Sequence, residues 1–214
     1  MHEDSTPATA IHWEDVYRNK PSDRVSWYRP HLDMSIELLS RAGAGPESRV
    51  IDVGGGASTL VDDLLERGVA NITVLDLSEQ ALELARQRLG NRGSGVRWIC
   101  ADLLTANLPP AGFDLWHDRA VLHFLRTPEA TARYAAQAAS AIRPGGQAVI
   151  GGFAPDGPER CSGLEVARRS AQDIAALLGD AFQLVEERHE NHTTPGGAMQ
   201  AFAWARLLRV EGPA

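Results

Sequence analysis

The 214-residue chain has few cysteines, no long apolar segment and no excess of basic residues. Its two cysteines, Cys100 and Cys161, form no CxxC pair, and a chain that is 43% hydrophobic does not need a disulfide framework. No apolar run approaches the roughly 20 residues of a membrane-spanning helix, and no apolar leader follows Met1. A formal charge of −7 disfavours binding to a phosphate backbone. We therefore expect a soluble cytoplasmic protein that binds neither nucleic acid nor membrane.

Strand-like and helix-like segments alternate through most of the chain after residue 45. The predicted strands cover residues 49–53, 71–76, 95–100, 113–117 and 147–153. The predicted helices between them cover residues 58–67, 78–89 and 128–142. Strands that alternate with helices of this length require right-handed crossovers and a parallel sheet covered on both faces.

The end of the chain departs from this alternation. After a predicted helix at residues 170–178, two strand-like segments at 182–190 and 199–209 are joined by a short loop, which indicates an antiparallel hairpin. The expected fold class is therefore α/β: a doubly wound, mostly parallel seven-stranded sheet of the Rossmann-like type, with a C-terminal antiparallel hairpin and three α/β/α layers. We expect one domain, in which residues 1–45 precede a core at 46–214 and the first ten residues are disordered.

A glycine-rich turn follows the first predicted strand. Asp52 ends an apolar run and is followed by Val53 and by Gly54, Gly55 and Gly56, which allow positive φ and close approach of a ligand. Asp76 ends the second predicted strand, 24 residues beyond Asp52, where an acid can hold ribose hydroxyls. The pattern predicts a nucleoside-cofactor site, although a glycine-rich turn can also be only a tight connection.

Two features of the turn distinguish between nucleoside cofactors. A dinucleotide fingerprint has glycine at its sixth position, where this chain has Thr59, and the upstream carboxylate of Asp52 would repel a diphosphate. The same carboxylate attracts S-adenosylmethionine, which carries positive sulfonium and ammonium groups and no phosphate. S-adenosylmethionine is therefore favoured over NAD.

From about Arg49 to Phe153 the chain resembles the class I S-adenosylmethionine-dependent methyltransferases. The resemblance rests on the Asp52 to Gly56 turn, the acid after the second strand, Cys100-Ala101-Asp102-Leu103, Phe113 to Arg119, and Arg143 to Gln147. It implies a cofactor site in which Asp52 positions the methionine amino group, Asp76 binds the ribose and Asp102 meets the adenine amino group. The residues that it implies for cofactor binding are Asp52, Gly54, Gly55, Gly56, Asp76, Leu77, Asp102, Leu103 and His117.

The resemblance also implies roles at the acceptor end. The aromatic segment before residue 45 is similar to an N-terminal lid, in which Tyr17 and Tyr28 are further cofactor candidates. His117, Asp118 and His123 follow the fourth strand and are candidates for removing an acceptor proton, although Asp118 would equally cap the next helix and His123 would equally pack beneath it. The remaining acceptor-side candidates are Trp27, Arg119, Cys161, His189 and His192.

The last three of these candidates carry a separate hypothesis. Cys161 with His189 and His192 would form a thiolate–imidazole site, whereas the simpler interpretation is a buried thiol with two solvent-exposed histidines, and no metal is predicted. The leading function is methyl transfer to a small-molecule acceptor. The alternatives are a protein-lysine methyltransferase and a non-catalytic cofactor-binding protein on the same fold.

Overall fold

The computed structural model describes residues 7–211. The helices are α1 (Pro7–Asn19), α2 (Asp33–Arg41), α3 (Leu60–Glu66), α4 (Glu79–Leu89), α5 (Pro128–Ala141) and α6 (Ala171–Leu178). The strands are β1 (Arg49–Val53), β2 (Asn71–Asp76), β3 (Arg97–Cys100), β4 (Phe113–Arg119), β5 (Ile142–Phe153), β6 (Arg160–Cys161), β7 (Leu164–Glu165), β8 (Phe182–Thr193) and β9 (Met199–Arg209). Across the described range, no helix is both long enough and apolar enough to cross a membrane.

Seven of these strands form one sheet in the order β3-β2-β1-β4-β5-β9-β8. The first five in that order run parallel, and β9 pairs antiparallel with both β5 and β8. This confirms the predicted fold class, including the C-terminal hairpin. The strand order reverses at β1 and β4, and a cleft for a ligand opens beyond the carboxyl ends of parallel strands at such a point.

Three local predictions need correction. The expected disorder of residues 1–10 is wrong for residues 7–10, which are helical, and residues 1–6 lie outside the described range. Strand β5 starts at Ile142 instead of residue 147, because the Pro-Gly-Gly segment is accommodated as an irregularity in the pairing with β4, with Gly145 at a φ of 75°. The segment after β5 also contains the small β6–β7 hairpin, which was not predicted.

Apolar side chains cover both faces of the sheet. One face packs against α5 and α6, and the other packs against α2, α3 and α4. Trp116 on β4 is fully buried, and its indole N–H donates to the Tyr134 hydroxyl at 3.1 Å. The hydroxyl in turn donates to Asp118 at 2.7 Å. This network fixes the end of β4 against α5, since buried polar groups need such partners.

The N-terminal segment closes over the carboxyl edge of the sheet. The carboxylate of Glu14 on α1 accepts a hydrogen bond from the Glu79 backbone N–H at the start of α4, at 2.6 Å. Trp13 packs edge-on against Trp27 and Phe124, with ring centroids 5.7 and 5.2 Å away. Aromatic pairs of this geometry are favourable beyond their buried area. Helix α1 is therefore held as part of the fold and covers the cleft.

Candidate cofactor and acceptor site

A cavity of ≈ 380 Å³ lies beneath α1 at the carboxyl edge of the sheet. A smaller cavity of ≈ 40 Å³ adjoins it, and both are lined by Tyr17, Trp27, Gly54 and Arg119. The larger cavity has two chemically different halves. One is lined by Leu75, Asp76, Leu77, Ala101, Asp102, Leu103 and Leu104, and the other by Trp13, Phe124, Phe153, Cys161, Gln200 and Phe202.

The glycine turn after β1 cannot accept side chains. Gly54 has a φ of 64°, and a Cβ there would lie 2.0 Å from Cγ2 of Val121. Gly56 has a φ of 44°, and a Cβ there would lie 2.9 Å from Oδ2 of Asp76. Both the backbone conformation and the available space therefore require glycine, as expected where a backbone closely approaches a ligand.

Asp76 is a buried carboxylate at the cavity wall. Its Oδ1 accepts a hydrogen bond from the Ser78 backbone N–H at 2.8 Å, and none of the ion pairs within residues 7–211 includes it. Burial, together with the nearby charge of Asp52, raises the pKa of Asp76 to about 7. A desolvated carboxylate without a cation is suited to accept hydrogen bonds from a vicinal diol.

The loop after β3 supplies the rest of this half. Oδ1 of Asp102 accepts from the Leu104 backbone N–H at 2.8 Å, which orients the carboxylate at the cavity wall. Leu103 is buried, and Leu77 lines the same cavity. The structure thus brings together the acids and apolar side chains suited to a purine nucleoside: polar acceptors at the edges and an apolar surface for the ring.

Asp52 and His117 form a buried pair beside the smaller cavity. His117 Nδ1 lies 2.7 Å from Oδ1 of Asp52, and Nε2 lies 2.9 Å from the Ser35 hydroxyl on α2. Since a carboxylate only accepts, Nδ1 carries the proton in this pair. Both ring nitrogens are engaged, so the geometry argues against the predicted role of His117 as a free base. The pair instead joins α2 to the end of β1.

The other two proton-transfer candidates lie in the core and line neither cavity. Asp118 accepts hydrogen bonds from the Val121 and Leu122 backbone N–H groups and from the Tyr134 hydroxyl, which is the capping role considered as its alternative. Burial raises the pKa of Asp118 to about 6. His123 packs against the ring of Phe124, and burial lowers its pKa to about 3. Neither side chain has access to an acceptor in the cavity.

The half of the larger cavity that is lined by aromatic side chains contains one cation, Arg119. Nη1 of Arg119 donates to the Trp27 carbonyl at 2.8 Å, and the guanidinium lies 5.0 Å from the centroid of the Phe202 ring. Cys161 on β6 is buried, and burial raises the pKa of its thiol to about 12, so the thiol is neutral. The structure therefore places the predicted Trp27, Arg119 and Cys161 at one site.

Sequence reasoning missed Gln200 and Phe202. Both lie near the start of β9, and Phe202 pairs in register with Phe153 at the end of β5. Because β9 runs antiparallel to β5, its first residues reach the edge where the parallel strands end. That topology is the signal that would have identified them.

The hypothetical grouping of Cys161 with the two histidines does not occur, and the simpler interpretation is correct for the buried thiol but wrong for His192, which is not exposed to solvent. His189 is half exposed, with its Nε2 3.5 Å from Oδ1 of Asp156. His192 is fully buried, and its Nε2 donates to the Ser26 carbonyl at 2.8 Å. No cluster of three or more His, Cys, Asp or Glu side chains within residues 7–211 could hold a metal ion. His189 therefore lies beside Asp156, and His192 joins the β8–β9 hairpin to the N-terminal segment.

The two tyrosines differ in position. Tyr17 is buried and lines both cavities, and its burial raises the pKa of the phenol well above its ordinary value. Tyr28 lines only the smaller cavity, together with Arg29 and Asp52. Both phenols therefore lie at the end of the cleft where the glycine turn meets the N-terminal segment.

Comparisons with known proteins identify the domain. Residues 50–146 match a family model described as a methyltransferase domain. The chain is 34% identical over 120 residues to an uncharacterised methyltransferase of Mycobacterium tuberculosis, covering 56% of each protein. It is 26% identical over 121 residues to the eEF1A lysine and N-terminal methyltransferase of Mus musculus, covering 56% of this chain and 17% of the mouse protein. The match thus spans less than two thirds of either relative.

The fold agrees with this match. The crystal structure of the Burkholderia thailandensis 1,6-didemethyltoxoflavin-N1-methyltransferase, with bound 1,6-didemethyltoxoflavin and S-adenosylhomocysteine, superposes with a TM-score of 0.72 at 22% identity. The superposition covers 97% of this chain and 92% of that one. Residues 50–146 therefore form a methyltransferase domain, and the fold is that of the class I S-adenosylmethionine-dependent methyltransferases, whose cofactor is S-adenosylmethionine.

Proposed function

We propose that this protein transfers a methyl group from S-adenosylmethionine to a small planar molecule. One observation carries the proposal: a single cavity beneath α1 has carboxylates in one half and aromatic walls with one cation in the other. The first half suits a nucleoside and the second half suits a flat acceptor. A cavity shared by both would bring the two reactants together.

The carboxylate half is assigned to the cofactor. Asp76 would accept hydrogen bonds from the ribose hydroxyls, and Asp102 would accept one from the adenine amino group, with Leu77 and Leu103 against the ring. The backbone of the glycine turn would lie against the cofactor without obstruction. At the other end of the cofactor, the methionine portion would be held by Asp52, Tyr17 and Tyr28, which line the smaller cavity.

Bound S-adenosylmethionine supplies an electrophilic methyl carbon. The protein's own contribution is to align the acceptor with that carbon and to exclude water. Trp13 and Trp27 cover the cavity from the N-terminal side, which supports both tasks. Alignment of two reactants can supply several kcal/mol of a reaction barrier, on the order of 7 or more in favourable cases.

The acceptor half favours a small molecule over a protein lysine. A lysine ammonium in this half would lie near the partly buried Arg119 guanidinium, and like charges shielded from water repel strongly. The acids of the cavity, Asp76 and Asp102, lie in the other half. Protein-lysine methylation is therefore the second candidate, and it is supported by the match to eEF1A lysine and N-terminal methyltransferases of four vertebrates. A cytoplasmic location stays a prediction.

A transfer assay tests the proposal. The purified protein is incubated with S-adenosylmethionine carrying a tritiated methyl group and with a cell extract divided into an ultrafiltrate and a protein fraction. Label is expected in the ultrafiltrate, and Asp76→Asn should reduce it strongly. Label confined to the protein fraction would instead support the lysine methyltransferase. Cofactor binding without transfer to either fraction would support a non-catalytic protein.

A further inference from the structure

Arg119 is a partly buried cation that the protein leaves incompletely paired. Only its Nη1 has a hydrogen-bond acceptor, the Trp27 carbonyl, while Nη2 is buried and has no partner among the described residues. None of the ion pairs found within residues 7–211 includes Arg119. A buried guanidinium nitrogen without a partner is costly, so its retention at a cavity wall points to an acceptor supplied from outside the chain.

The acid whose charge affects Arg119 most does not fill this role. Glu190 raises the pKa of Arg119 through its charge, but its carboxylate pairs with Arg29 and accepts a hydrogen bond from the Trp204 indole N–H at 3.0 Å. Burial lowers the pKa of Arg119 only to about 10, so the guanidinium remains charged at neutral pH. The positive charge therefore faces the cavity largely uncompensated.

The same half of the cavity contains no group that can act as a base at neutral pH. Its remaining polar side chains are the neutral thiol of Cys161 and the carboxamide of Gln200. The side chain of Gln200 makes no hydrogen bond to a described residue. The ring nitrogens of His117, beside the smaller cavity, are both engaged. An acceptor that must lose a proton therefore needs another source of activation.

We propose that the acceptor is an aromatic or conjugated molecule with an acidic O–H, and that Arg119 binds its oxygen anion in place of a catalytic base. The guanidinium lies over the Phe202 ring, so an anion bound there would have its own ring among the aromatic walls. A cation beside an acidic group lowers the pKa of that group. Gln200 would donate a second hydrogen bond. This inference rests on the proposed function.

The step balances without a further reactant. The acceptor loses its proton to water on binding, and the oxygen anion is held by Arg119. A lone pair of that oxygen forms the bond to the methyl carbon. The carbon–sulfur bond of the cofactor breaks with its electron pair left on sulfur, which gives the neutral thioether S-adenosylhomocysteine and the methylated acceptor.

The cofactor's own carboxylate is the competing source of an oxygen anion, because Arg119 lines the smaller cavity as well. Arg29 also lines that cavity and is a second cation there, although it already pairs with Glu190 and Asp33. Arg119 contacts Phe202 in the acceptor half, whereas Arg29 does not line the larger cavity. The geometry therefore favours the acceptor as the partner of Arg119.

The test uses 4-nitrophenol as probe, since its O–H titrates near neutral pH and its anion is coloured. The probe is titrated by absorbance with the wild-type protein saturated with S-adenosylhomocysteine. We expect bound 4-nitrophenol to ionise about one pH unit or more below the free compound. Arg119→Gln should abolish this shift, and Arg119→Lys should retain part of it. Arg133 is exposed and has no ion pair or side-chain hydrogen bond with residues 7–211, so the control variant Arg133→Gln should behave as wild type.

Calorimetric binding of S-adenosylhomocysteine to each variant separates the outcomes. An unshifted or unbound probe on a wild-type protein that binds S-adenosylhomocysteine overturns this inference alone. A tenfold or greater loss of S-adenosylhomocysteine affinity in Arg119→Gln, with the probe shift unchanged, assigns Arg119 to the cofactor carboxylate and also overturns it. Failure of the wild-type protein to bind S-adenosylhomocysteine overturns the proposed function itself.

Discussion

Cofactor affinity should depend on pH through Asp76. Burial, with the nearby charge of Asp52, raises the pKa of this carboxyl from 3.8 to about 7 in the free protein. Hydrogen bonds from ribose hydroxyls favour the ionised form and lower its pKa, so binding should release a proton between that lower pKa and about pH 7. Each pH unit of such linkage is worth about 1.4 kcal/mol, and affinity should therefore fall by up to about tenfold per unit as the pH is lowered below 7.

The same shift has a consequence for the free protein. Because the pKa of Asp76 is higher in the folded state than in the unfolded state, its contribution to stability is greatest at acidic pH. That contribution is lost as the pH rises from about 4 to about 7. The free protein should therefore gain stability from Asp76→Asn at neutral pH, although the variant loses cofactor affinity.

Isothermal titration with S-adenosylhomocysteine between pH 5 and pH 8, in buffers of different ionisation enthalpy, measures both the affinity and the released proton. Asp76→Asn should remove the pH dependence, whereas Asp23→Asn, at an exposed site, should leave it unchanged. A wild-type affinity that does not vary over this range would refute the reasoning. So would an equal slope in Asp76→Asn.

Two further predictions concern the supports of the site. Gly54→Ala should lower stability and S-adenosylhomocysteine affinity, because the added Cβ would lie 2.0 Å from Val121 Cγ2. Adding Val121→Ala should recover part of the stability. No recovery in the double variant would contradict the steric account. Tyr134→Phe should cost about 1–3 kcal/mol in chemical denaturation, since it removes the hydrogen bonds to Trp116 and Asp118, with cofactor affinity unchanged. A cost below about 0.5 kcal/mol would show that this buried network matters little.

The cofactor half of the site could be predicted from the sequence because its determinants are local. Asp52 and Asp76 each end an apolar run, and the carboxyl ends of parallel strands meet at one edge of the sheet. The glycine turn is likewise a local backbone requirement. A short segment of sequence therefore contains both the strand and the side chain that it positions.

The acceptor half depends on contacts between distant segments and could not be predicted in the same way. Asp118 accepts a hydrogen bond from the Tyr134 hydroxyl on α5, and His117 is hydrogen-bonded to the Ser35 hydroxyl on α2. No spacing in the sequence indicates these partners. The positions of Gln200 and Phe202 follow only from the antiparallel pairing of β9 with β5. The proton-transfer candidates were therefore chosen by sequence position, and tertiary packing gave two of them core contacts instead.

The most direct test of the central claim is a comparison of two nucleoside cofactors on the wild-type protein. Calorimetric titration should show S-adenosylmethionine binding with a dissociation constant on the order of micromolar and no binding of NAD. The carboxylate of Asp52 beside the glycine turn attracts the positively charged cofactor and repels a diphosphate. Binding of NAD in the absence of S-adenosylmethionine binding would contradict the account.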